Sequence, residues 1–459
     1  MVARHTKQLC YVTKVIRVLK SRMEEPTSRG LANAVSAAIR EGELADGDRL
    51  PPIRNVAAEL GISPTTVSAA WALLARAGTI RTDGRRGTTI STHTTAGPNR
   101  YRRALERQTS FALDLSTGVP DPALLPDLAP ALQRLRGTTS PGNYLDDPVL
   151  PELAEMLRSD WPYEAERFTI ADGAMDALDQ ICTTLLRFGD RVLVEHPCFP
   201  PLLDLLEAAG MQITGVPVDD EGPALEPLAK ALRSGVSALF LQPRAQNPTG
   251  VCMTAARAAE LGRLLGVADV LVVEDDSAGA VAATPAISLG QWLPQQTVHI
   301  RSFSKSHGPD LRLAAVSGSA RHIDALTERR FLGQGWTSRL LQAVLLDLLT
   351  HPASIARVER ARRIYSERRG LIVTALEHKG LEVPGQDGLN IWLPVRDEAA
   401  ALVRLASKGI GAAAGSPFTV LDEGGPHLRI TTGLISQRHA TVAAELADAA
   451  TVGAWASPA

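Results

Sequence analysis

Lys305 and the residues around it carry the strongest chemical signal in this sequence. The lysine follows an apolar, strand-like stretch, Ser302 and Ser304 precede it, and Arg312 comes shortly after it. An amine can condense with an aldehyde, while short hydroxyl donors and a fixed cation can hold a phosphate dianion. Pyridoxal phosphate carries both groups, so this grouping predicts a site for that cofactor.

Further polar residues lie beside predicted strands and helices. Asp275 follows an apolar run and can keep a pyridinium nitrogen protonated, although a lone strand-end aspartate is usually a helix cap or ion-pair member, and Asp276 stays open as the alternative. Asn247 can bond the cofactor's phenolic oxygen, but by itself it indicates an ordinary turn. Gly173 and Ala174 precede a predicted helix whose first N–H groups can receive a phosphate, a weak signal alone.

Short apolar runs alternate with helix-length segments in the second part of the chain. The runs are 191–194, 238–241, 270–273 and 298–300. This alternation is typical of buried parallel strands joined by crossover helices, and therefore of an α/β fold. Ligands collect at the carboxyl ends of such strands, where the polar residues above lie.

The first part of the chain predicts a winged helix-turn-helix. Helical apolar patterns end near Gly42 and Gly61, and Ser63 is a good N-cap for a second helix beginning at Pro64. The alternating pattern of 80–90 predicts a hairpin wing with arginines at its tip. Hydroxyls of the second helix would face the major groove of DNA, and the arginines would contact phosphate or the minor groove. The alternative is a small helical bundle used for protein contact. The residues expected at DNA are Arg54, Ser63, Thr65, Thr66, Ser68, Arg85 and Arg86.

Length and charge agree with this division. A chain of 459 residues is too long for one hydrophobic core, because single cores stop growing at roughly 250–300 residues. Residues 1–100 hold 15 Lys/Arg against 8 Asp/Glu, which leaves 33 against 42 in the rest, so a basic first part precedes an acidic second part. We predict an N-terminal extension over 1–25, with 1–22 either disordered or a start-site artefact, then a winged-helix head over 26–91. A linker over 92–111 and a body over 112–459 follow.

The four cysteines show no Cys-x-x-Cys spacing and no partnering histidine cluster, so neither a metal site nor a disulfide framework is expected. There is no secretory signal pattern and no run of about 18 apolar residues. We therefore expect a cytoplasmic protein with free thiols and no membrane contact.

The head resembles the GntR family of bacterial repressors. The resemblance rests on the motifs of 50–54, 58–63 and 66–67. Many members have Arg or Lys where this chain has Pro64, so base recognition here is expected to depend more on the hydroxyls and the wing.

The body resembles the fold type I aminotransferases, the aspartate aminotransferase family, over 112 to about 440. The resemblance implies Lys305 as the lysine bonded to pyridoxal phosphate, Asp275 at its ring nitrogen and Asn247 at its ring hydroxyl. It also implies Phe199 as the aromatic on the ring, with a core phenylalanine as the competing explanation. The residues implied around the phosphate are Gly173, Ala174, Ser302, Ser304 and Arg312.

Three further positions concern the effector and the partner subunit. Arg429 matches the arginine that clamps an amino acid's carboxylate, and we expect Asn390 to line the same pocket. Tyr144 matches a tyrosine lent to the neighbouring subunit's phosphate, which implies a homodimer. Ser277 stands where the family commonly has tyrosine, so a hydroxyl that reaches the cofactor oxygen is expected to be lost. Asp147-Pro148 also stands where the family usually has a glycine after the Tyr144 motif.

The whole chain resembles the MocR subfamily of GntR regulators, in which such a head precedes such a body. The resemblance implies a regulator that binds operator DNA, holds pyridoxal phosphate, responds to the cofactor or an amino compound, and forms head-to-tail dimers. Two alternatives stay open: a working aminotransferase with an appended head, and a body without cofactor that only dimerises the head.

Overall fold

The computed structural model describes residues 14–23, 25–40, 43–45, 47–76, 80–83, 87–90, 111–135 and 143–452. The chain divides into two compact units, one of Met1–Asn99 with Asp204–Met211 and one of Arg100–Leu203 with Gln212–Ala459. No helix in these described ranges is long and apolar enough to cross a bilayer.

The head is a small helical domain with a two-stranded hairpin. Its elements are α1 (14–22), α2 (Ser28–Arg40), α3 (Ile53–Leu60), α4 (Pro64–Arg76), β1 (Ile80–Asp83) and β2 (Gly87–Ile90). Gly61 ends α3 in the left-handed conformation, with φ of 69°, and its N–H donates to the carbonyl of Ala57. Ser63 begins α4, because its Oγ accepts from the N–H of Thr66 at 3.0 Å. The helix-turn-helix prediction is confirmed.

Helix α1 corrects the expectation of disorder for residues 14–22. Val15 and Leu19 are fully buried and belong to the same apolar core as Leu31 and Trp71. Lys14, Arg17 and Lys20 of α1 are exposed, and these charges between the apolar residues made the apolar face hard to recognise in the sequence. Residues 1–13 lie outside the described part of the chain.

The wing is an antiparallel hairpin, as expected. Ile80 pairs with Ile90, and both are buried in the core of the head. The tip of the hairpin, with Arg85 and Arg86, lies outside the described residues. Residues 92–110 of the expected linker, 92–111, also lie outside them, so its boundaries stay predictions.

The body is built on an eight-stranded sheet and two small ones. Its strands are β3 (Leu113–Asp114), β4 (Arg167–Ala171), β5 (Arg191–His196), β6 (Gln212–Asp219), β7 (Gly222–Pro223), β8 (Ala238–Leu241), β9 (Leu271–Asp276), β10 (Thr297–Ser302), β11 (Ala314–Gly318), β12 (Asn390–Pro394), β13 (Ile410–Gly411), β14 (Ala413–Ala414) and β15 (His427–Thr431). The large sheet has the order β4-β11-β10-β9-β8-β5-β6-β7, and β12-β15-β14 and β13-β3 form the small sheets.

All four predicted runs are strands, and they pair in parallel as expected. Strand β11 was not anticipated, and it runs antiparallel to both of its neighbours, β10 and β4. A parallel return needs a crossover of a dozen or more residues, usually through a helix, whereas 303–313 contain only turns and one 3-10 helix. This short return holds Lys305 beside the end of β10.

Helices cover the sheets and complete the cores. They are α5 (Ala129–Arg134), α6 (Pro151–Ser159), α7 (Ala174–Leu185), α8 (Pro200–Ala208), α9 (Leu225–Leu232), α10 (Ala255–Leu265), α11 (Ala320–Phe331), α12 (Arg339–Thr350), α13 (Pro352–Glu377), α14 (Glu398–Ser407) and α15 (His439–Thr451). Apolar residues of α9 and α10 pack with Leu239 and Val272 of the large sheet. Ile391 and Ile430 of the small sheet pack with α13 and α15.

Candidate functional site

Lys305 lies in the turn after β10, and its side chain is hydrogen-bonded to Ser277, the residue that follows β9. Its Nζ donates to the Oγ of Ser277 at 3.1 Å. Burial lowers the pKa of Lys305, and the negative charge of Asp275 opposes this shift. A lysine held closer to its neutral form is a better nucleophile for an aldehyde, because only the neutral amine has a free electron pair.

Asp275 lies near the end of β9, buried beside Lys305. Its Oδ2 accepts a hydrogen bond from Gln242 Nε2 at 2.8 Å, whereas its Oδ1 is buried and has no hydrogen-bond partner among the residues that the structure describes. Burial raises the pKa of Asp275, while the bond from Gln242 and the charge of Lys305 oppose the rise. A buried carboxylate oxygen without a donor fits a protonated ring nitrogen, which would supply one.

The neighbouring Asp276 is engaged elsewhere. Arg244 Nε and Nη2 donate to its two oxygens at 3.0 and 2.7 Å, and the N–H of Gly279 donates to its Oδ1 at 3.1 Å. The charge of Arg244 overcomes the effect of burial and lowers the pKa of Asp276 to about 2. Of the two carboxylates, the geometry therefore favours Asp275 for the ring nitrogen.

Asn247 lies in the loop after β8, at the same edge of the sheet. Its backbone N–H donates to Gln242 Oε1 at 2.7 Å. Its side chain is buried, and within the described ranges Oδ1 has no hydrogen-bond partner. A polar ligand at this edge would satisfy the amide, in agreement with the expected contact to a ring oxygen.

Gly173 and Arg312, both expected at a phosphate, lie against one another. Gly173 precedes α7 with φ of 99°, and a Cβ at this position would lie 2.6 Å from Arg312 Nη2. Arg312 also donates to the carbonyl of Asp172 at 3.1 Å. The glycine thus brings the guanidinium against the start of a helix, where the N–H of Ala174 and the helix dipole favour an anion.

The two serines before Lys305 lie on this side of the body as well. Ser302 ends β10 and is buried, and its Oγ accepts from the N–H of Ser304 at 3.3 Å. The structure therefore places Ser302 and Ser304 directly before Lys305, with a hydrogen bond between them.

Phe199 shares a cavity with the ring carboxylate. Phe199, Leu178, Glu195, Gln242 and Asp275 are among the residues that line this cavity. An aromatic side chain and a carboxylate on one cavity suit a flat, protonated heteroaromatic ring. Burial raises the pKa of the Glu195 carboxyl to about 8.

Arg429 and Asn390 lie on neighbouring strands of the small sheet, β15 and β12. Both are buried; Asn390 Oδ1 accepts from Thr431 Oγ1 at 3.1 Å, and Arg429 donates to the carbonyl of Ser116. The positive charge of Arg429 contributes to lowering the pKa of Lys305, so the two cations lie near one another. A carboxylate bound at Arg429 would therefore lie close to the amine.

Tyr144 is not brought into this site by its own chain. The residue is 86 % exposed, and its ring makes an edge contact with the ring of Trp336, with centroids 5.8 Å apart. The adjacent Leu145 is 95 % exposed.

Most of the expected DNA-contacting residues of the head face solvent. Arg54, Ser63, Thr65 and Ser68 are exposed, and Thr66 is partly buried. Ser63 Oγ bonds the hydroxyls of Thr65 and Thr66 at 2.6 and 2.7 Å, so these hydroxyls form one cluster at the start of α4.

The sequence interpretation missed Gln242 and the contact of Ser277. Gln242 directly follows β8, so the rule that ligands collect at carboxyl ends of strands was a signal for it. For Ser277 a lost hydroxyl was expected, but its short side chain instead bonds Lys305. The ion-pair role of Arg244 had no signal in the sequence.

Two protein families match the chain. Residues 112–446 match the family described as aminotransferase class I and II, and residues 27–90 match bacterial regulatory proteins of the gntR family. Among curated relatives, the vitamin B6 salvage pathway transcriptional repressor PtsJ of Salmonella typhimurium is 37% identical over 85% of this chain and 91% of its own length. The pyridoxine biosynthesis transcriptional regulator PdxR of Corynebacterium glutamicum is 29% identical over 94% and 97%.

Solved structures agree on the fold of the body. The kynurenine aminotransferase of Pyrococcus horikoshii superimposes with a TM-score of 0.68 at 22% identity, over 78% of this chain and 94% of its own. LysN, the alpha-aminoadipate aminotransferase of Thermus thermophilus, gives a TM-score of 0.68 at 23% identity, over 77% and 96%. At this identity the likeness establishes the fold, the α/β architecture of the aminotransferases.

Proposed function

Since the chain belongs to the MocR-type GntR regulators, which join a winged-helix head to a domain of the aminotransferase class I and II family, we propose that it is a pyridoxal phosphate-dependent transcriptional regulator. Its body would hold the cofactor on Lys305, and its head would bind operator DNA. Relatives named as regulators of vitamin B6 salvage and of pyridoxine biosynthesis support this choice over an aminotransferase.

The observation that carries the proposal is the buried Asp275 carboxylate, which lies close enough to Lys305 for its charge to act on the amine. One oxygen of this carboxylate has no hydrogen-bond partner among the described residues. Such a group is costly in an apo-protein unless a ligand satisfies it. Pyridoxal phosphate fits, because its ring nitrogen can donate to that oxygen while its aldehyde reaches the lysine.

The residues of the chain would each have one task. When bound, the cofactor supplies an electrophilic carbon that reacts with primary amines. Asp275 would hold the ring-nitrogen proton, Asn247 would orient the ring oxygen, and Phe199 would cover the ring. The start of α7 and Arg312 would bind the phosphate, with Ser302 and Ser304 nearby, and Arg429 with Asn390 would orient the carboxylate of an amino-compound effector.

The head and the exposed segment around Tyr144 concern macromolecular partners. The gntR-family domain implies DNA binding, with Arg54, Ser63, Thr65, Thr66 and Ser68 on its described surface. We assign Arg85 and Arg86 to the same interface from the sequence. The exposure of Tyr144 and Leu145 supports a homodimer in which these residues contact the partner's body. We propose a head-to-tail arrangement on the family resemblance alone.

A spectroscopic experiment with full-length protein tests the cofactor proposal. Incubation with pyridoxal phosphate should give a visible absorbance band, and borohydride treatment should leave a stable phosphopyridoxyl label on Lys305. Lys305→Ala should abolish both signals, while Lys379→Ala, at an exposed lysine, should keep them. A colourless wild-type protein would overturn the proposal.

A DNA-binding experiment tests the regulatory part. The protein should retard DNA from the neighbourhood of its own gene at low salt, and the affinity should change when pyridoxal phosphate or an amino compound binds. Absence of retardation at low salt would refute a regulator. Turnover of an amino donor and a 2-oxo acid at roughly 1 to 1000 per second would favour an aminotransferase instead.

A further inference from the structure

Gln242 connects the groups around Lys305 through every polar group of its side chain. Its Nε2 donates to Asp275 Oδ2 at 2.8 Å and to Ser277 Oγ at 3.2 Å, while its Oε1 accepts from the N–H of Asn247 at 2.7 Å. Its backbone N–H donates to Glu195 Oε2 at 2.9 Å, which fixes the start of the side chain. The residue is 8 % exposed, so water has little access to these bonds.

We propose that Gln242 is a positioning residue that aims the carboxylate of Asp275 at the cofactor's ring nitrogen and couples that carboxylate to Lys305 through Ser277. This inference rests on the proposed function, since it concerns the same site. One carboxylate oxygen is held by the amide, whereas Oδ1 has no partner in the described part of the chain and is left for a ligand. The amide thereby determines which oxygen meets the ring.

The chain of bonds reaches the lysine through a short hydroxyl. Ser277 Oγ has two lone pairs, and both Lys305 Nζ and Gln242 Nε2 lie within donating distance of it. Ionised Asp275, the amide, the hydroxyl and the amine thus form one continuous network. A change in the amide of Gln242 therefore affects the carboxylate of Asp275 directly and the amine of Lys305 through the hydroxyl of Ser277.

Substitutions of Gln242 have distinct chemical consequences. Gln242→Leu removes the donors and leaves Asp275 Oδ2 buried without a partner. Gln242→Glu keeps the shape but places a second carboxyl about 3 Å from Asp275, and a like charge at this distance raises the pKa of the pair. Both changes favour neutral Asp275, which no longer keeps a ring nitrogen protonated.

The test combines cofactor affinity with a pH titration of the visible absorbance band in the full chain loaded with pyridoxal phosphate. Gln242→Leu should weaken binding about tenfold, because Asp275 loses the donor that aims its carboxylate and would bond the ring nitrogen less strongly. Both variants should move the midpoint of the titration by about one pH unit, with the larger shift in Gln242→Glu. Gln133→Glu, the same change at an exposed glutamine, should behave as wild type.

The outcomes separate this inference from the function on which it rests. A general structural defect would lower the melting temperature and the affinity without moving the midpoint, and it would overturn the positioning role. Wild-type behaviour of both variants, within about twofold in affinity and about 0.3 pH unit, would overturn it as well. A wild-type protein that binds no pyridoxal phosphate would instead refute the proposed function, and the isosteric Gln242→Glu keeps the test valid if Gln242→Leu does not fold.

Discussion

Replacing Asp275 by asparagine should change cofactor binding and the stability of the cofactor-free protein in opposite directions. The amide keeps the shape of the carboxylate but cannot ionise. If Asp275 Oδ1 accepts from the ring nitrogen as proposed, one charge-assisted bond would be lost, and such a bond contributes about 1.5–3 kcal/mol. At about 1.4 kcal/mol per factor of ten, the affinity for pyridoxal phosphate should fall roughly 10- to 100-fold.

The stability of the cofactor-free protein follows from the sign of the pKa shift. Burial raises the pKa of Asp275 in the folded state, so the ionised side chain destabilises the fold at neutral pH, and stability increases as the pH falls through the folded pKa. Asp275→Asn removes this cost. The variant without cofactor should therefore unfold at a higher urea concentration than wild type at pH 7.

Equilibrium titration by visible absorbance and urea denaturation measure the two effects. Asp310→Asn, at an exposed aspartate near the lysine, is the matched control and should leave both unchanged. If Asp275→Asn bound the cofactor within about threefold of wild type, the ring nitrogen would not face this carboxylate and the reasoning would be refuted.

Three more changes test other parts of the structure. Arg244→Met leaves Asp276 buried and uncompensated, so the free energy of unfolding should fall by about 3–5 kcal/mol in urea denaturation at pH 7. Because the folded pKa of Asp276 is lowered to about 2, the wild-type advantage is fully present above the unfolded value near 4 and disappears as the pH falls through 2; an undiminished advantage at pH 2 would contradict this. Gly173→Ala should weaken phosphate-dependent cofactor binding at least tenfold in the same absorbance titration, whereas Gly380→Ala, which shares the positive φ but faces open space, should only strain the backbone by about 1 kcal/mol. Leu19→Ala should destabilise the head by about 2–5 kcal/mol in thermal unfolding, and an unchanged melting temperature would show that α1 is dispensable.

Local signals in the sequence were sufficient for most of the fold. The cap at Ser63, the glycine that ends α3 and the alternating wing each depend on neighbours within a few residues, so they could be predicted. The apolar runs of the body predicted parallel strands for the same reason. Helix α1 was missed because its burial depends on a core supplied by residues far along the chain.

For the candidate site, too, local sequence patterns predicted some features and left others to the tertiary structure. The order of Gly173, Asn247, Asp275, Lys305 and Arg312 was enough to predict a place for pyridoxal phosphate. The choice between two adjacent carboxylates was left open, because strand alternation alone does not tell which of them meets a buried cation.

What the sequence determined by itself was the chemistry available: one lysine in a turn, carboxylates at a strand end and a basic winged head. What only the tertiary structure decided was which groups are already satisfied. Gln242 and Asp275 are 33 residues apart in the chain, and Ser277 and Lys305 are 28 apart. The hydrogen bonds between these residues form because strands β8, β9 and β10 end side by side. The position of each donor could therefore be known only from the packed sheet.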